Sequence, residues 1–226
     1  MRGRACPLRL VIFDCDGVIV DSEAIANRIT ATSLVAEGWP ITSQEAENFF
    51  LGMTLTDMVP MIEAHIGRPL SPGWKPNLMR ALLEALSRDA VPIPGAIEAM
   101  RAATAMGVPW RIASNSSHEE MRAKFARLGI SDMVAGRVHS HRDVARGKPA
   151  PDLFLATAAA EGVAPAECVV IEDSVPGTRA AAASGVDCLA YAPHGRDTAL
   201  VAEGAVPFRS MLELPALFAL GVGISP

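Results

Sequence analysis

Four stretches of the chain are predominantly apolar over their whole length instead of alternating with polar residues: 8–13, 108–113, 168–171 and 186–192. Strands buried on both faces read this way, as parallel sheets require, whereas a strand with one wet face alternates with period two. Residues 117–128 and 175–184 instead space apolar residues three and four apart and predict amphipathic helices, closed by Gly129 and Gly185 at C′ positions. A further helix is expected to start near Asp152. Strand and helix alternate, so the expected fold class is α/β, a doubly wound, Rossmann-like parallel sheet with right-handed crossovers.

One interval breaks the alternation. From Ser22 to Ala90 the pattern is helical, with no convincing buried strand. An insertion directly after the first strand is expected to form a helical-bundle cap over the carboxyl ends of the strands, where open α/β sheets bind ligands. The expected division is a core of residues 1–21 and 92–226 and a cap of residues 22–91. Gly67, Pro69, Pro72, Gly73 and Pro76 punctuate the insertion, and Pro92, Pro94 and Gly95 mark its return; these are candidate hinge positions.

Composition narrows the function classes. The chain has 226 residues, 50% hydrophobic and 20% charged, enough for a sizeable core and without a low-complexity run. Net charge is −5 with Lys and Arg scattered, so the basic stripe of a nucleic-acid binder is absent and a small ligand is expected. Cys6, Cys15, Cys168 and Cys188 form no C-x-x-C pair, and His118, His139, His141 and His194 form no metal-like cluster, so neither structural zinc nor a disulfide framework is expected. The N-terminal apolar run reaches Asp14 too soon to be a secretory core, and no stretch approaches about 18 apolar residues. The expectation is a cytoplasmic protein without membrane association, a monomer or weak homodimer.

Candidate chemistry gathers at strand ends. Asp14-Cys15-Asp16-Gly17 ends the first strand and Glu172-Asp173 ends the third, so both acidic pairs project from one edge of the sheet. Two or three carboxylate oxygens with a backbone carbonyl and waters suit octahedral Mg²⁺ rather than zinc. Ser114 and Asn115 end the second strand just before a helix, where N–H groups bind phosphate oxygens, although Ser-Asn-Ser-Ser by itself reads as an N-cap. Lys148 lies in a loop before the helix near Asp152; with carboxylates and a phosphate nearby, a cation is needed to hold them together.

In this order, Asp14-x-Asp16-Gly17, Ser114, Lys148 and Glu172-Asp173 followed by Gly177 resemble the haloacid dehalogenase superfamily of phosphohydrolases over nearly the whole chain. The string Phe-Asp-Cys-Asp-Gly-Val-Ile-Val-Asp-Ser-Glu looks like the subfamily of β-phosphoglucomutase, phosphoglycolate phosphatase and sugar-phosphate phosphatases, which carry a helical cap. The resemblance implies Asp14 as nucleophile and Asp16 as general acid and base. It implies Ser114 and Lys148 as the phosphoryl cradle, and Mg²⁺ on Asp14, the Asp16 carbonyl and Asp173, with Glu172 as ligand or support. The implied reaction is phosphatase action on a small phosphorylated metabolite: a sugar phosphate, a sugar-acid phosphate or phosphoglycolate.

The mutase is the alternative. Its pattern has a histidine twelve residues after the nucleophile and an arginine after the cap's glycine motif; here these places hold Ala26 and the arginine-free segment Gly52-Met53-Thr54-Leu55. Arg28 or Lys75 could substitute. True dehalogenases lack an acid at the second position, so Asp16 argues against them, and a non-enzymatic binding protein would be expected to lose a station. Expected substrate contacts are Ser114, Asn115, Lys148, Glu23 and Arg28, with Ser22, Asn27, Thr54, Lys75 and Ser116 as further candidates.

Overall fold

Strand β1, Leu10–Phe13, is enclosed on both faces, and its side chains divide alternately between two cores. Val11 and Phe13 join a cluster with Met100, Trp110, Ile112 and Ile171, whereas Leu10 and Ile12 join one with Leu153, Phe154, Val170 and Ala180. Each such aliphatic or aromatic side chain, fully buried, contributes about 1.5–3 kcal/mol. The double burial is why the strand reads as continuously apolar. The structure is a computed structural model and describes residues 8–50, 53, 55–195 and 197–219.

After β1 come β2 (Val20–Asp21), helices α1 (Glu23–Ala36), α2 (Ser43–Phe50), α3 (Leu55–Ile66) and α4 (Trp74–Asp89), and β3 (Val91–Pro92). The chain continues through α5 (Ala96–Ala105), β4 (Trp110–Ser114), α6 (His118–Arg127), α7 (Ser131–Val134) and β5 (Val138–Ser140). It ends with α8 (Asp152–Ala160), β6 (Cys168–Glu172), α9 (Val175–Ser184), β7 (Asp187–Tyr191), α10 (Asp197–Ala202), β8 (Val206–Phe208) and α11 (Leu214–Ala219).

Six strands form one sheet in the order β5-β4-β1-β6-β7-β8, every pairing parallel. This is the doubly wound Rossmann order, whose switch point, the place where ligands bind, lies between β1 and β6. The four strands read from the sequence are β1, β4, β6 and β7. The short edge strands β5 and β8 escaped because His139 and Pro207 interrupt their three residues, and edge positions do not demand an apolar run.

The insertion leaves and returns through the antiparallel ribbon β2–β3, with Val20 opposite Pro92. Its four helices share a separate core of Leu34, Trp39, Phe50, Ile62, Trp74 and Leu78. It also rests on the sheet layer: Ile25, Ala85 and Leu86 belong to the first core, and Arg127 Nε donates to the Arg88 carbonyl at 2.6 Å. Gly67 and Gly73 lie between α3 and α4, so they shape a turn inside the insertion rather than its junction with the sheet. Cys15, Cys168 and Cys188 are buried free thiols, and Cys6 lies outside the described residues.

The end of β6 shows how tightly the site edge is built. Glu172 is completely buried, and its Oε2 accepts from the Asp173 and Ser174 backbone N–H groups, both at 3.0 Å, and from Ser174 Oγ at 2.9 Å. Ser174 in turn caps α9 by accepting from Gly177 N at 3.1 Å. A Cβ on Gly177 would lie 1.8 Å from Glu172 Oε1, so only glycine leaves room for the carboxylate. Alanine is ordinarily the better helix residue by about 1 kcal/mol. Here Gly177→Ala is expected to lower stability by about 1–3 kcal/mol through overpacking. Denaturant unfolding checks this, and a variant as stable as the parent would contradict it.

Candidate active site

Because β1 and β6 pair in parallel with Phe13 beside Ile171, the next residues, Asp14 and Glu172, emerge side by side at the switch point. Asp14 N donates to the Ile171 carbonyl at 2.9 Å, which extends the pairing to the carboxylate itself. Lys148 Nζ lies 2.6 Å from Asp14 Oδ1 and 2.6 Å from Glu172 Oε1, and it sits 4.8 Å from the Phe154 ring centroid. Asn115 fixes the lysine's backbone from both sides: its Oδ1 accepts from Lys148 N at 2.9 Å and its Nδ2 donates to the Lys148 carbonyl at 3.0 Å.

Asp173 completes this group. Among the described residues, Asp14, Glu172 and Asp173 are the one set of three His, Cys, Asp or Glu residues able to offer ligand atoms within 4.8 Å of one another. Gly17, at φ +73°, lets the chain turn beneath Asp173; a Cβ there would lie 1.8 Å from Asp173 Oδ2. Three carboxylates therefore face one ammonium. Burial, with the neighbouring Glu172 and Asp16 charges and only partly offset by Lys148, pushes Asp14 up to about 7. Burial and repulsion from Glu172, Asp14 and Glu23 hold Asp173 well above the ordinary carboxylate range. An oxygen-only donor set with surplus negative charge fits a hard divalent cation such as Mg²⁺.

Asp16 belongs to a second charge group. Lys124 Nζ donates to its Oδ1 at 2.6 Å, Ser22 Oγ donates to the same oxygen, and Ser116 Oγ donates to Oδ2 at 2.7 Å. Burial pushes the Asp16 carboxyl up, but the Lys124 charge and these hydrogen bonds outweigh it and hold the group below its usual range. Ser114, at the end of β4, is buried; its Oγ accepts from Ser116 N at 3.0 Å and lies 3.5 Å from Asp16 Oδ2. Ser117 begins α6 as a capping box with Glu120.

The structure thus brings Asp14, Asp16, Ser114, Lys148, Glu172 and Asp173 to one crevice. Two expected substrate contacts are otherwise engaged. The Asn115 amide is spent on the Lys148 backbone, and Arg28 Nη2 pairs with Asp89 Oδ2 at 2.7 Å. Glu23 opens α1, where its charge reaches Asp173, and Lys75 is exposed in the first turn of α4. Residues 51, 52 and 54, from the segment compared with the mutase arginine, lie outside the described residues. Sequence reasoning missed Lys124. The available signal was its place in the apolar stripe of α6 between Met121 and Phe125, where a lysine is tolerated only if its charge is paired.

No helix among the described residues is long and apolar enough to cross a membrane. The chain is 26% identical over 212 residues to 6-phosphogluconate phosphatase of Escherichia coli, covering 93% of this chain and 95% of that one. It is 31% identical to hexitol phosphatase A of the same organism, over 79% and 81% of the two chains. The solved structure of a HAD family hydrolase from Deinococcus radiodurans, holding phosphate and sodium, matches with a TM-score of 0.81 at 31% identity, over 96% of this chain and 97% of that one. The family pattern of haloacid dehalogenase-like hydrolases runs from residue 8 to residue 185. That stretch contains Asp14, Asp16, Ser114, Lys148, Glu172 and Asp173, and the chain belongs to the haloacid dehalogenase-like hydrolases.

Proposed function

We propose that the protein is a Mg²⁺-dependent phosphatase that hydrolyses a small phosphorylated metabolite through an aspartyl-phosphate on Asp14. The observation that carries this reading is the buried Lys148 ammonium shared by Asp14 and Glu172 beside Asp173, with Ser114 and the start of α6 across the crevice. Residues 22–91 serve as a cap over a core of residues 1–21 and 92–226, excluding water and selecting the substrate.

Asp14, the Asp16 carbonyl and Asp173 would hold the ion. Glu172 supports them by fixing Lys148 and the backbone of Asp173, since both its oxygens are already engaged. When bound, Mg²⁺ neutralises charge on the transferring phosphoryl group and keeps Asp14 ionised.

An Asp14 oxygen attacks phosphorus, the bond to the leaving oxygen breaks, and that oxygen takes the proton of a protonated Asp16. Asp16, now a carboxylate, accepts a proton from water as its oxygen attacks the aspartyl-phosphate. The Asp14–phosphorus bond breaks, inorganic phosphate leaves, and both side chains return to their starting states. Ser114 binds a phosphoryl oxygen, and Lys148 steadies both that group and Asp14. Dividing the reaction this way is one means of approaching the acceleration of up to about 10²¹ that phosphate monoesters demand.

The named activities of the similar phosphatases favour a sugar-acid or polyol phosphate as substrate. Against the mutase stands Ala26, which has no titratable side chain and lines a mostly apolar hollow of about 130 Å³ with Ile29, Thr30, Leu55, Met58 and Leu78. A phosphate-release screen across phosphorylated sugars, sugar acids, polyols and phosphoglycolate with Mg²⁺ present tests the reading. The expected result is free phosphate, with β-glucose 1-phosphate yielding phosphate if it reacts at all. Conversion to glucose 6-phosphate without phosphate release would identify the mutase.

Asp14→Asn is expected to remove turnover while leaving the circular dichroism spectrum and unfolding transition near the parent's. Residual activity above about a thousandth exceeds what a variant without its nucleophile should retain, and would reject Asp14 in that role.

The ion has a pH signature. Between about pH 4 and pH 7 the folded, ion-free chain keeps an Asp14 proton that the unfolded chain has released, so stability falls as pH rises through this window. Mg²⁺ replaces that proton, and its gain in Tm should be larger near pH 8 than near pH 5. Scanning calorimetry with and without EDTA measures both, and equal gains at the two pH values would contradict the assignment.

A further inference from the structure

Lys124 is almost fully buried, on the face of α6 that also carries Met121 and Phe125, yet its ammonium reaches the crevice from below. Nζ lies 2.6 Å from Asp16 Oδ1 and 2.8 Å from Ser116 Oγ, and Ser116 Oγ donates to Asp16 Oδ2 at 2.7 Å. Lysine, serine and carboxylate form a closed triangle, with Ser22 bracing the same Oδ1. The Asp16 side chain keeps 34% of its surface exposed while Lys124 keeps 2%, so the rigid end of the pair is the lysine and the accessible end is the carboxylate. An ammonium so placed gives up its hydration, which is offset only by well-made pairing.

We propose that Lys124 is a positioning residue for the reaction. Together with Ser116 it fixes the orientation of Asp16 so that Oδ2 is presented on the Ser114 side, where the leaving oxygen and then the attacking water must stand. This rests on the phosphatase reading above. Lys124 itself neither touches the substrate nor exchanges a proton. Asp16 gives its proton to the leaving oxygen as the phosphorus–oxygen bond breaks and recovers one from water as phosphate forms.

The test uses 4-nitrophenyl phosphate, whose leaving group departs as nitrophenolate without needing a proton. Phosphorylation of Asp14 then bypasses Asp16, whereas hydrolysis of the aspartyl-phosphate does not. With Lys124→Met, rapid mixing should give a burst of about one nitrophenolate per site at near the parental rate, followed by turnover lowered about 10²-fold, the lower range for a lost acid–base contribution. KM should not rise, and Lys124→Arg should recover at least about a tenth of parental turnover while keeping the charge. Parental turnover by Lys124→Met would overturn the proposal, as would burst and turnover slowed alike. If Lys124→Met does not fold, Lys124→Gln is read in the same way; failure of both to fold assigns the lysine to the core and also overturns it. A parent enzyme that releases no phosphate from any phosphomonoester strikes the phosphatase reading itself, a result separable from all of these.

Discussion

The site depends on a single shared cation. Lys148 places one ammonium 2.6 Å from each of two buried carboxylates, Asp14 and Glu172, on neighbouring strands. Parallel strands lie about 4.8 Å apart. Two acids at matching ends of β1 and β6 are therefore forced together by backbone hydrogen bonding, and their repulsion must be met locally. Lys148 meets part of it, and with Asp173 alongside a surplus of negative charge remains. The fold tolerates the surplus because it is spread through a surround of hydrogen bonds: Glu172 Oε2 alone accepts three donors.

That arrangement requires unusually close approaches. Gly177 admits Glu172, Gly17 admits Asp173, and a Cβ on Gly147 would come within 2.6 Å of Asn115 Oδ1, the atom that accepts from the Lys148 backbone. Three glycines thus each stand aside for one polar group of the site. Two of them, Gly17 and Gly177, belong to the ordered motifs themselves, so part of what makes the pattern specific is absence of bulk rather than presence of chemistry.

The parts legible in the sequence were those whose physics is local or doubly constrained. β1, β4, β6 and β7 were readable because burial on both faces leaves little room for polar residues, and the ends of three of them locate Asp14, Ser114 and Glu172. α9 runs from Val175 to Ser184 as its apolar spacing and Gly185 imply, with Gly185 closing it at φ +71° and Ser174, which the spacing does not assign, opening it. What depended on distant pairing was not legible. Arg28 looked like a free cation available to an anion until Asp89, 61 residues later, came to face it. The place of Lys124 in the apolar stripe of α6 calls for a partner without naming one, and only the fold brings Asp16, 108 residues earlier, against it. The hollow at Ala26 is likewise a product of helix packing across α1, α3 and α4.

Asp14 and Asp16, two residues apart, are pushed in opposite directions by separate partners, a pattern that separates acid and nucleophile roles. In the ion-free chain the separation runs the wrong way for chemistry: burial favours a protonated Asp14, whereas Lys124 and the serines favour an ionised Asp16. A divalent cation against Asp14 lowers its pKa, and a phosphate dianion beside Asp16 raises that group's. On the proposed mechanism, loading the site with ion and substrate would shift both groups toward the states its first step needs, a carboxylate nucleophile and a protonated acid. In that step Asp16 becomes a carboxylate when it gives its proton to the leaving oxygen. The Lys124 pairing then again favours the Asp16 carboxylate, the form that accepts a proton from water. On that reading the two charge groups, one around Lys148 and one around Lys124, would let two aspartates on one turn of backbone hold different protonation states in sequence.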